Sequence, residues 1–387
     1  MKESRIMTIG EVCATISDTY RAKADEVTLI NTSDVFEGKV LNHMRVPNKE
    51  LKGQFKKTFK RNDILYSEIR PQNKRFAFVD FDPVDYIVST KLMVLRADTS
   101  KVLPMYLYFY LKSAPVIAEL QMLAETRSGT FPQITFTELS NLTIPVPSIE
   151  EQKTIVATIK CLEDKIDCNA SINDNLQQQA QALFEQRFIV EDIEGEEKPL
   201  YDFADYINGA AFKPSECGDQ GLPIIKIAEL KNGITDSTKY FDGFKGEKYL
   251  VHDKDILFSW SGNPDTSIDI FIWTHGKAIL NQHTFNVKSN TGHRWFTFLM
   301  LKYFRPEFSR IASNKQTTGL GHVTASDLKR LTFISNEAAI EVFEHEVSPF
   351  METIYSNMME NQRLAQLRDS LLPKLMSGEI DVSGIQT

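Results

Sequence analysis

The chain repeats itself after about 190 residues, and this duplication limits the possible folds more than any other feature. NDILYS (62–67) returns as KDILFS (254–259), 192 residues later. YIVST (86–90) and AILNQ (278–282) keep that offset, each beside a predicted strand. YLYFYLKSAPVIAEL (106–120) parallels WFTFLMLKYFRPEFS (295–309). SGTFPQITFTELSNLTIP (128–145) parallels TGLGHVTASDLKRLTFIS (318–335), where the offset drifts to about 189. Order and spacing hold across all four blocks. The chain is therefore a doubled unit: globular piece, helix, globular piece, helix.

The two helices are read from periodicity. In the first, Ile155, Ile159, Leu162, Ile166, Ile172, Leu176, Ala180 and Leu183 recur at steps near 4 and 3, with Cys168 and Asn169 filling one turn of the stripe. In the second, Ile340, Phe343, Val347, Phe350, Ile354, Met358, Leu364, Leu367, Leu371 and Leu375 do the same. Such a stripe packs one helix on another. Two stripes at equivalent places in a repeat predict an antiparallel pair that holds the halves apart. Ser148 followed by Glu150 and Glu151 suits a helix start. Roughly 40 residues at about 1.5 Å each make a rod on the order of 60 Å long. Pro349 is expected to kink or interrupt the second helix, and Gly378 to stop it.

The predicted domains are 1–147, the first long helix 148–190, 191–335 and the second long helix 336–380. The charged segment VEDIEGEEKP (190–199) reads as a linker into the second half. DYIVSTKLMVLRA (85–97) and KAILNQHTFNVKS (277–289) read as strands, LPMYLYFYLKSAPVIAELQ (103–121) as a helical pair split at Pro115, and ITFTELSNLTIPVP (134–147) as a short helix then a strand. The fold class is α+β: two similar mixed α/β domains separated by two long helices packed as an antiparallel coiled coil, with a pseudo-two-fold internal repeat.

Charge follows the same division. Residues 1–147 carry a net +3 and 199–335 a net +2, while 148–198 carry −7 and 336–387 carry −6. The total of −8 is thus concentrated in the helical segments. Local field rather than total charge governs phosphate binding, so the acidic balance does not exclude a nucleic-acid partner. No apolar run approaches the roughly 18 residues of a membrane span. The opening MKESRIMTIGEV lacks a signal peptide's apolar stretch, and Cys13, Cys161, Cys168 and Cys217 are scattered. A cytoplasmic protein with reduced thiols is expected.

Catalytic signatures are missing. The methyl-transfer loop Asn/Asp-Pro-Pro-aromatic has only NPDT (Asn263–Thr266) as an approximation, and neither G-x-G-x-x-G nor a P-loop occurs. No histidine pair has metal-ligand spacing, so no metal site is expected. Glu229-Leu230-Lys231 matches half of a carboxylate–metal nuclease pattern, which leaves a self-contained metal-dependent nuclease as the alternative function. A purely structural coiled-coil scaffold is a third reading. The basic, diverged globular halves argue against it.

Positive signals point to DNA. PNKELKGQFKKTFKRND (47–63) places Lys56, Lys57, Lys60 and Arg61 among aromatics, suited to phosphates; the plain alternative is a solvated helix face. After the shared DIL strand comes SEIRPQNKR (67–75) in one half and SWSGNPDTS (259–267) in the other, the same place with unrelated residues. Loops that vary on a repeated scaffold are where recognition would sit. The candidates there are Ser67, Arg70, Asn73, Lys74 and Arg75, against Ser259, Ser261 and Asn263. A second such pair is ETRSGTFPQ (125–133) with Arg127, Ser128, Thr130 and Gln133, against KQTTGLGH (315–322) with Lys315, Gln316, Thr317, Thr318 and His322.

IPVPSIEEQKTIVATI (144–159) and NQRLAQLRDSLLPKLMSGEIDV (361–382), with NDILYS, KDILFS and QQQAQALFEQRF (177–188), resemble the specificity subunits of type I restriction–modification systems over nearly the whole length. The resemblance implies a chain without a catalytic centre. It implies two target-recognition domains, each reading half of a bipartite duplex site, and two helices that set the gap between half-sites. It further implies that the helices dock two modification subunits that use S-adenosylmethionine, with restriction subunits using ATP and Mg joined through these. Ile155, Ile159, Leu162, Ile166, Ile172, Leu176, Phe343, Val347, Ile354, Leu364, Leu367 and Leu371 would serve helix packing and docking. The second helix departs from the pattern, since ISNEAAIEVFEHEVSPF lacks the proline-led EEQ start.

Overall fold

The computed structural model describes residues 5–22, 24–49, 53–127, 131–190, 194–316 and 320–382. The chain forms two compact units. The first takes Met1–Lys165 together with Arg363–Thr387, and the second takes Ile166–Gln362. The boundaries thus fall within the two long helices rather than at their ends, and each unit owns a segment of both.

The duplication is kept in strand order through both four-stranded sheets. In the first unit an antiparallel sheet runs Cys13–Ile16, Leu92–Ala97, Ile64–Ser67, Phe76–Phe78. A second sheet runs Val46–Pro47, Glu26–Ile30, Tyr86–Ser89, Phe55–Lys57, its middle pair parallel. In the second unit the matching orders are Ala204–Asn208, Thr284–Ser289, Ile256–Ser259, Asp269–Ile272 and Tyr240–Phe241, Leu222–Ile225, Ala278–Leu280, Leu250–Val251. Here too the middle pair of the second sheet is parallel. Arg5–Thr8 pairs with Thr143–Val146, and Glu196–Pro199 pairs with Thr332–Ser335 in the same way. That second pairing corrects the linker reading of 190–199: four of its residues form a strand, because their backbone amides find partners on the chain's return.

The repeated motif owes its Asp to a turn. Asp63 accepts the Lys60 N–H at 2.7 Å and forms two 2.7 Å bonds with the Arg96 guanidinium on the neighbouring strand. Asp255 accepts the His252 N–H at 3.0 Å and pairs with Lys288. Each Asp closes the turn before its strand and ties that strand to the next one.

The first helix after the first unit's sheets is apolar all round, as a fully buried helix must be. Pro104–Leu111 buries Tyr106 to Leu111, and the Tyr106 and Tyr110 hydroxyls donate to the Pro145 and Thr143 carbonyls at 2.8 and 2.5 Å. Ala114–Arg127 follows, the break falling at Lys112–Ser113 just ahead of Pro115, which sits in the new helix's first turn. In the second unit Arg294–Asn314 is one continuous helix that contains Pro306.

The first long helix spans Ile149–Glu185 and continues in a π turn, Gln186–Val190. Its EEQ start is explained residue by residue. Ser148 and Glu151 cap each other, with the Ser148 N–H and hydroxyl donating to the carboxylate at 2.9 and 2.6 Å. Gln152, fully buried, accepts the Leu103 N–H at 2.8 Å and donates to the Lys101 and Pro147 carbonyls at 3.0 Å. The second long helix spans Glu337–Ser377 and solves the same problem with other residues. Asn336 accepts the Ala339 N–H at 2.7 Å, and Glu344 accepts the Trp295 and Phe296 N–H groups at 3.1 and 2.7 Å.

Pro349 does not interrupt this helix. A proline there removes a single N–H, the one that would reach the His345 carbonyl, and the helix runs on past it to Ser377. Gly378, at φ 75°, ends the helix as expected, with the Ile380 N–H returning to the Lys374 carbonyl.

Helix packing is shared between the two cores. In the first unit Ile155 and Ile159 meet Leu372, Leu375 and Met376 in one cluster that Leu371 flanks. In the second unit Ala180, Phe184, Phe343, Val347 and Ile354 do so, with Leu176 alongside. Both contacts are antiparallel, low numbers on one helix facing high numbers on the other. Leu162, Ile166 and Leu364 are half-buried, whereas Ile172 and Leu367 are exposed. Those two fall outside the buried seam, whereas Asn173, Asn357 and Asn361 reach across it.

Candidate nucleic-acid interface

The two variable loops of each half are distant in sequence and joined in the fold. In the first unit Ile69 bridges to Gln133, and the Ile134 N–H donates to the Glu68 carbonyl at 2.9 Å. In the second unit Ser261–Gly262 pairs with Gly321–His322, and the Val323 N–H donates to the Trp260 carbonyl at 2.8 Å. Residues 68 and 260, like 134 and 323, are equivalents in the repeat, so the same hydrogen bond closes the same junction twice. Gly321 has no room for a side chain, since a Cβ would sit 2.1 Å from the Ala312 carbonyl oxygen.

Short helices anchor the second loop from below. Thr135 and Glu138 form a capping box at Phe136–Ser140, as Thr324 and Asp327 do at Ala325–Arg330. Arg127 reaches Glu138 at 3.0 Å, and Lys315 reaches Asp327 at 2.6 Å. The Thr135 hydrogen bonds hold the Glu138 carboxyl below its ordinary value. Burial raises the Asp327 carboxyl, but Lys315 and Thr324 outweigh it and the net shift is downward. Arg127 and Lys315 thus bring their charge to loop closure, and the pairing recurs in both halves.

The other candidates divide. Ser67 and Ser259 end inward-facing strand positions and are 2% and 0% exposed, too buried to touch a duplex. The Ser67 hydroxyl instead accepts the Ile69 N–H at 3.0 Å. Arg75 lies over the Phe36 ring at 5.3 Å and donates to the Ser33 carbonyl, while Lys74 pairs with Glu37 at 2.8 Å. Both are committed to the Val35–Phe36 hairpin. The Asn263 side chain accepts the Asp265 and Thr266 N–H groups at 3.0 and 3.1 Å, so it shapes its own turn. Arg70, Asn73, Gln316 and His322 are exposed, and Gln133 and Ser261 are half-buried at the strand bridge. Ser128, Thr130, Thr317 and Thr318 lie outside the described residues.

The basic run is dispersed. Residues 53–63 contain the strand Phe55–Lys57 rather than a helix. Lys57 turns inward to the Thr90 carbonyl at 3.2 Å and to the Leu92 carbonyl, and burial pushes its ammonium below its ordinary pKa. Lys56 points the other way and is exposed, as alternation along a strand requires. Lys60 and Arg61, also exposed, lie in the turn before Ile64–Ser67. The variable loop leaves the other end of that strand, roughly 10 Å away at about 3.3 Å per residue.

Sequence reasoning missed a third contributor, the turn that follows YIVST and AILNQ and carries the chain from one sheet to the other. Lys91 at its tip donates to the Gln133 side chain at 3.0 Å and pairs with Glu68 at 3.4 Å. The equivalent position holds His283, whose ring meets Trp260 with centroids 5.8 Å apart. Exposed Phe131 and Leu320 stand at equivalent places beside the bridges. A signal was present, since the strands repeat at a constant offset while the residues immediately after them do not.

The nuclease alternative finds no support. Glu229 and Lys231 line a cleft of about 420 Å³ in the second unit. The Glu229 carboxylate, however, accepts the Lys226 N–H at 3.0 Å and the Thr238 hydroxyl at 3.2 Å, as a helix cap does. Among the described residues no group of three or more His, Cys, Asp or Glu side chains could hold a metal ion. Among the same residues no helix is long and apolar enough to cross a membrane.

Comparison with known proteins agrees with this geometry. The family model for the type I restriction modification DNA specificity domain matches twice, at residues 1–178 and 193–367. The chain is 29% identical to the type I restriction enzyme HindI specificity subunit of Haemophilus influenzae, over 98% of this chain and 100% of that one. It is 25% identical to the MjaIX specificity subunit of Methanocaldococcus jannaschii, over 72% and 69% of the two chains. The type I restriction–modification S subunit from M. genitalium shares the fold, with a TM-score of 0.55 over 96% of each chain at 15% identity. Two matched recognition domains carrying diverged loops, and a family model that fits both, place this chain among the specificity subunits of type I restriction–modification systems, the subunits that recognise DNA and leave catalysis to others.

Proposed function

We propose that each unit reads one half of a bipartite duplex site. The observation that carries this is the twice-built junction: the same three loops meet in both units, on the same strands, and hold different side chains. Phosphate contacts from exposed lysines and arginines close to the junctions would place each domain, and side chains at the bridges would read base edges in the groove. The acidic helices, which phosphate would repel, are left for protein partners. The two long helices set the gap between half-sites and dock two modification subunits. S-adenosylmethionine belongs to those subunits, and ATP with Mg to restriction subunits joined through them.

The test exchanges residues 200–335 for those of another family member and reads the N6-methyladenine motif of host DNA by single-molecule sequencing. One half-site should change and the other persist. If both change together, the independent-reader proposal fails. Lengthening the first long helix should alter the spacer and leave both half-sites intact.

A further inference from the structure

The long helices begin 188 residues apart, at Ile149 and Glu337. That offset makes Asn169 the equivalent of Asn357, Asn173 of Asn361, and Ile166 of Ile354. The Asn169 amide donates to the Asn361 side-chain oxygen at 2.9 Å, and the Asn357 amide donates to that of Asn173 at 2.9 Å. Asn361 also donates to the Ile166 carbonyl at 3.2 Å, and Asn173 to the Ile354 carbonyl at 3.3 Å. Replacing every residue by its equivalent turns the first bond into the second and the third into the fourth. The pattern maps onto itself when the helices exchange.

This layer interrupts an otherwise greasy contact. Toward the start of the second helix the seam is Ile340, Phe343, Val347, Met351 and Ile354, all buried. Apolar side chains substitute for one another when antiparallel helices slip by a turn. Amides in a seam do not, because a slip strands their donors and acceptors away from water. Asn169 is 0% exposed, so its amide has no recourse to solvent; Glu360 takes its second proton at 2.6 Å.

We propose that Asn169, Asn173, Asn357 and Asn361 are a register lock for the helix pair and thereby determine the length of the DNA spacer between half-sites. The inference rests on the reading of the helices as a spacer. A slip of one helical turn is about 5 Å at about 1.5 Å per residue. Against about 3.4 Å per base pair, that corresponds to roughly one or two base pairs of spacer.

The test assembles the full chain with its modification subunits and offers a library of duplexes. Both half-sites are constant, and spacers range over three base pairs either side of the native length. The wild-type complex should methylate one spacer length. With all four asparagines changed to leucine, the half-sites should persist while methylation spreads to spacers one or two base pairs away, discrimination falling at least tenfold. Should the fourfold variant fail to assemble, Asn173→Leu with Asn357→Leu opens half of the layer and is read in the same way. An unchanged spacer profile, or a loss of rate equal on every spacer, overturns the lock. A wild-type complex that methylates no duplex instead overturns the specificity reading beneath it.

Discussion

Glu68 pairs with Lys91 at 3.4 Å, and at the equivalent positions Trp260 meets His283 through rings 5.8 Å apart. One scaffold site thus carries an ion pair in one half and an aromatic contact in the other. Neither pair is needed to hold the strands, which are already joined by backbone bonds. The side chains are free to diverge, and a reader of two different half-sites requires that freedom.

Lys91→Ala should therefore weaken methylation of one half-site only, and His283→Ala the other. A lost base contact costs about 1–3 kcal/mol, so a drop of about tenfold or more in relative methylation of the matched motif is expected. Lys60→Ala combined with Arg61→Ala, at the far end of the strand, should leave both half-sites and the salt dependence of binding unchanged. Duplex binding across a salt series separates the two cases: loss of a phosphate contact would reduce the slope.

Asp63→Ala should destabilise the first unit without altering specificity. It removes two bonds to Arg96 and the cap on Lys60, and hydrogen bonds to charged groups contribute about 1.5–3 kcal/mol each way they are counted. Urea unfolding followed by hydrogen exchange should show the loss concentrated in Leu92–Ala97 and Ile64–Ser67. Asp255→Ala should do the same for Thr284–Ser289 and Ile256–Ser259.

Burial pushes the His275 imidazole below its ordinary value, with Asp253 opposing the shift. The ring lies against Trp273, centroids 5.0 Å apart, with the Gln362 amide 3.4 Å away. The fold disfavours protonation of this ring relative to the unfolded chain, which protonates near pH 6.5, so unfolding takes up protons around and below that pH and stability falls as the pH drops. The urea midpoint should decline between about pH 7 and pH 5.5, and His275→Gln should flatten that decline.

Cysteine labelling offers a footprint for partner docking. Cys13 is buried and its thiol is pushed up to about 12, while Cys161 and Cys168 are exposed on the first long helix. Iodoacetamide at pH 8 should modify the latter two and spare Cys13. Assembly with modification subunits should slow labelling of the helix cysteines; unchanged rates would exclude that face from the contact.

The repeat, individual strands, long helices and the glycine stop were legible because each depends on pattern along the chain: an offset, a period of two, a period near 3.6, a φ that glycine tolerates. The EEQ start was legible as a motif, yet its reason was not. Gln152 earns its place through bonds to Leu103 and Lys101, some 50 residues away. The site was only half legible. Periodicity named the right loops, but composition could not say that Ser67 turns inward, that Lys57 reaches the Thr90 carbonyl, or that Lys91 joins the cluster.

The same contrast holds in the helix pair. Its apolar stripe follows from residue spacing alone, and a stripe fixes which face packs without fixing which turn meets which. Asn173 and Asn361 look like polar breaks in that stripe when read along the chain. Across the seam Asn361 accepts from Asn169, and Asn173 accepts from Asn357. The amino-acid sequence by itself determined that this chain is a doubled α+β protein on a pair of long amphipathic helices, because those facts are set by neighbours along the chain. Tertiary structure alone decided which polar side chains are engaged inside and which stand at the loop junctions, because hydrogen-bond partners are chosen by distance in space.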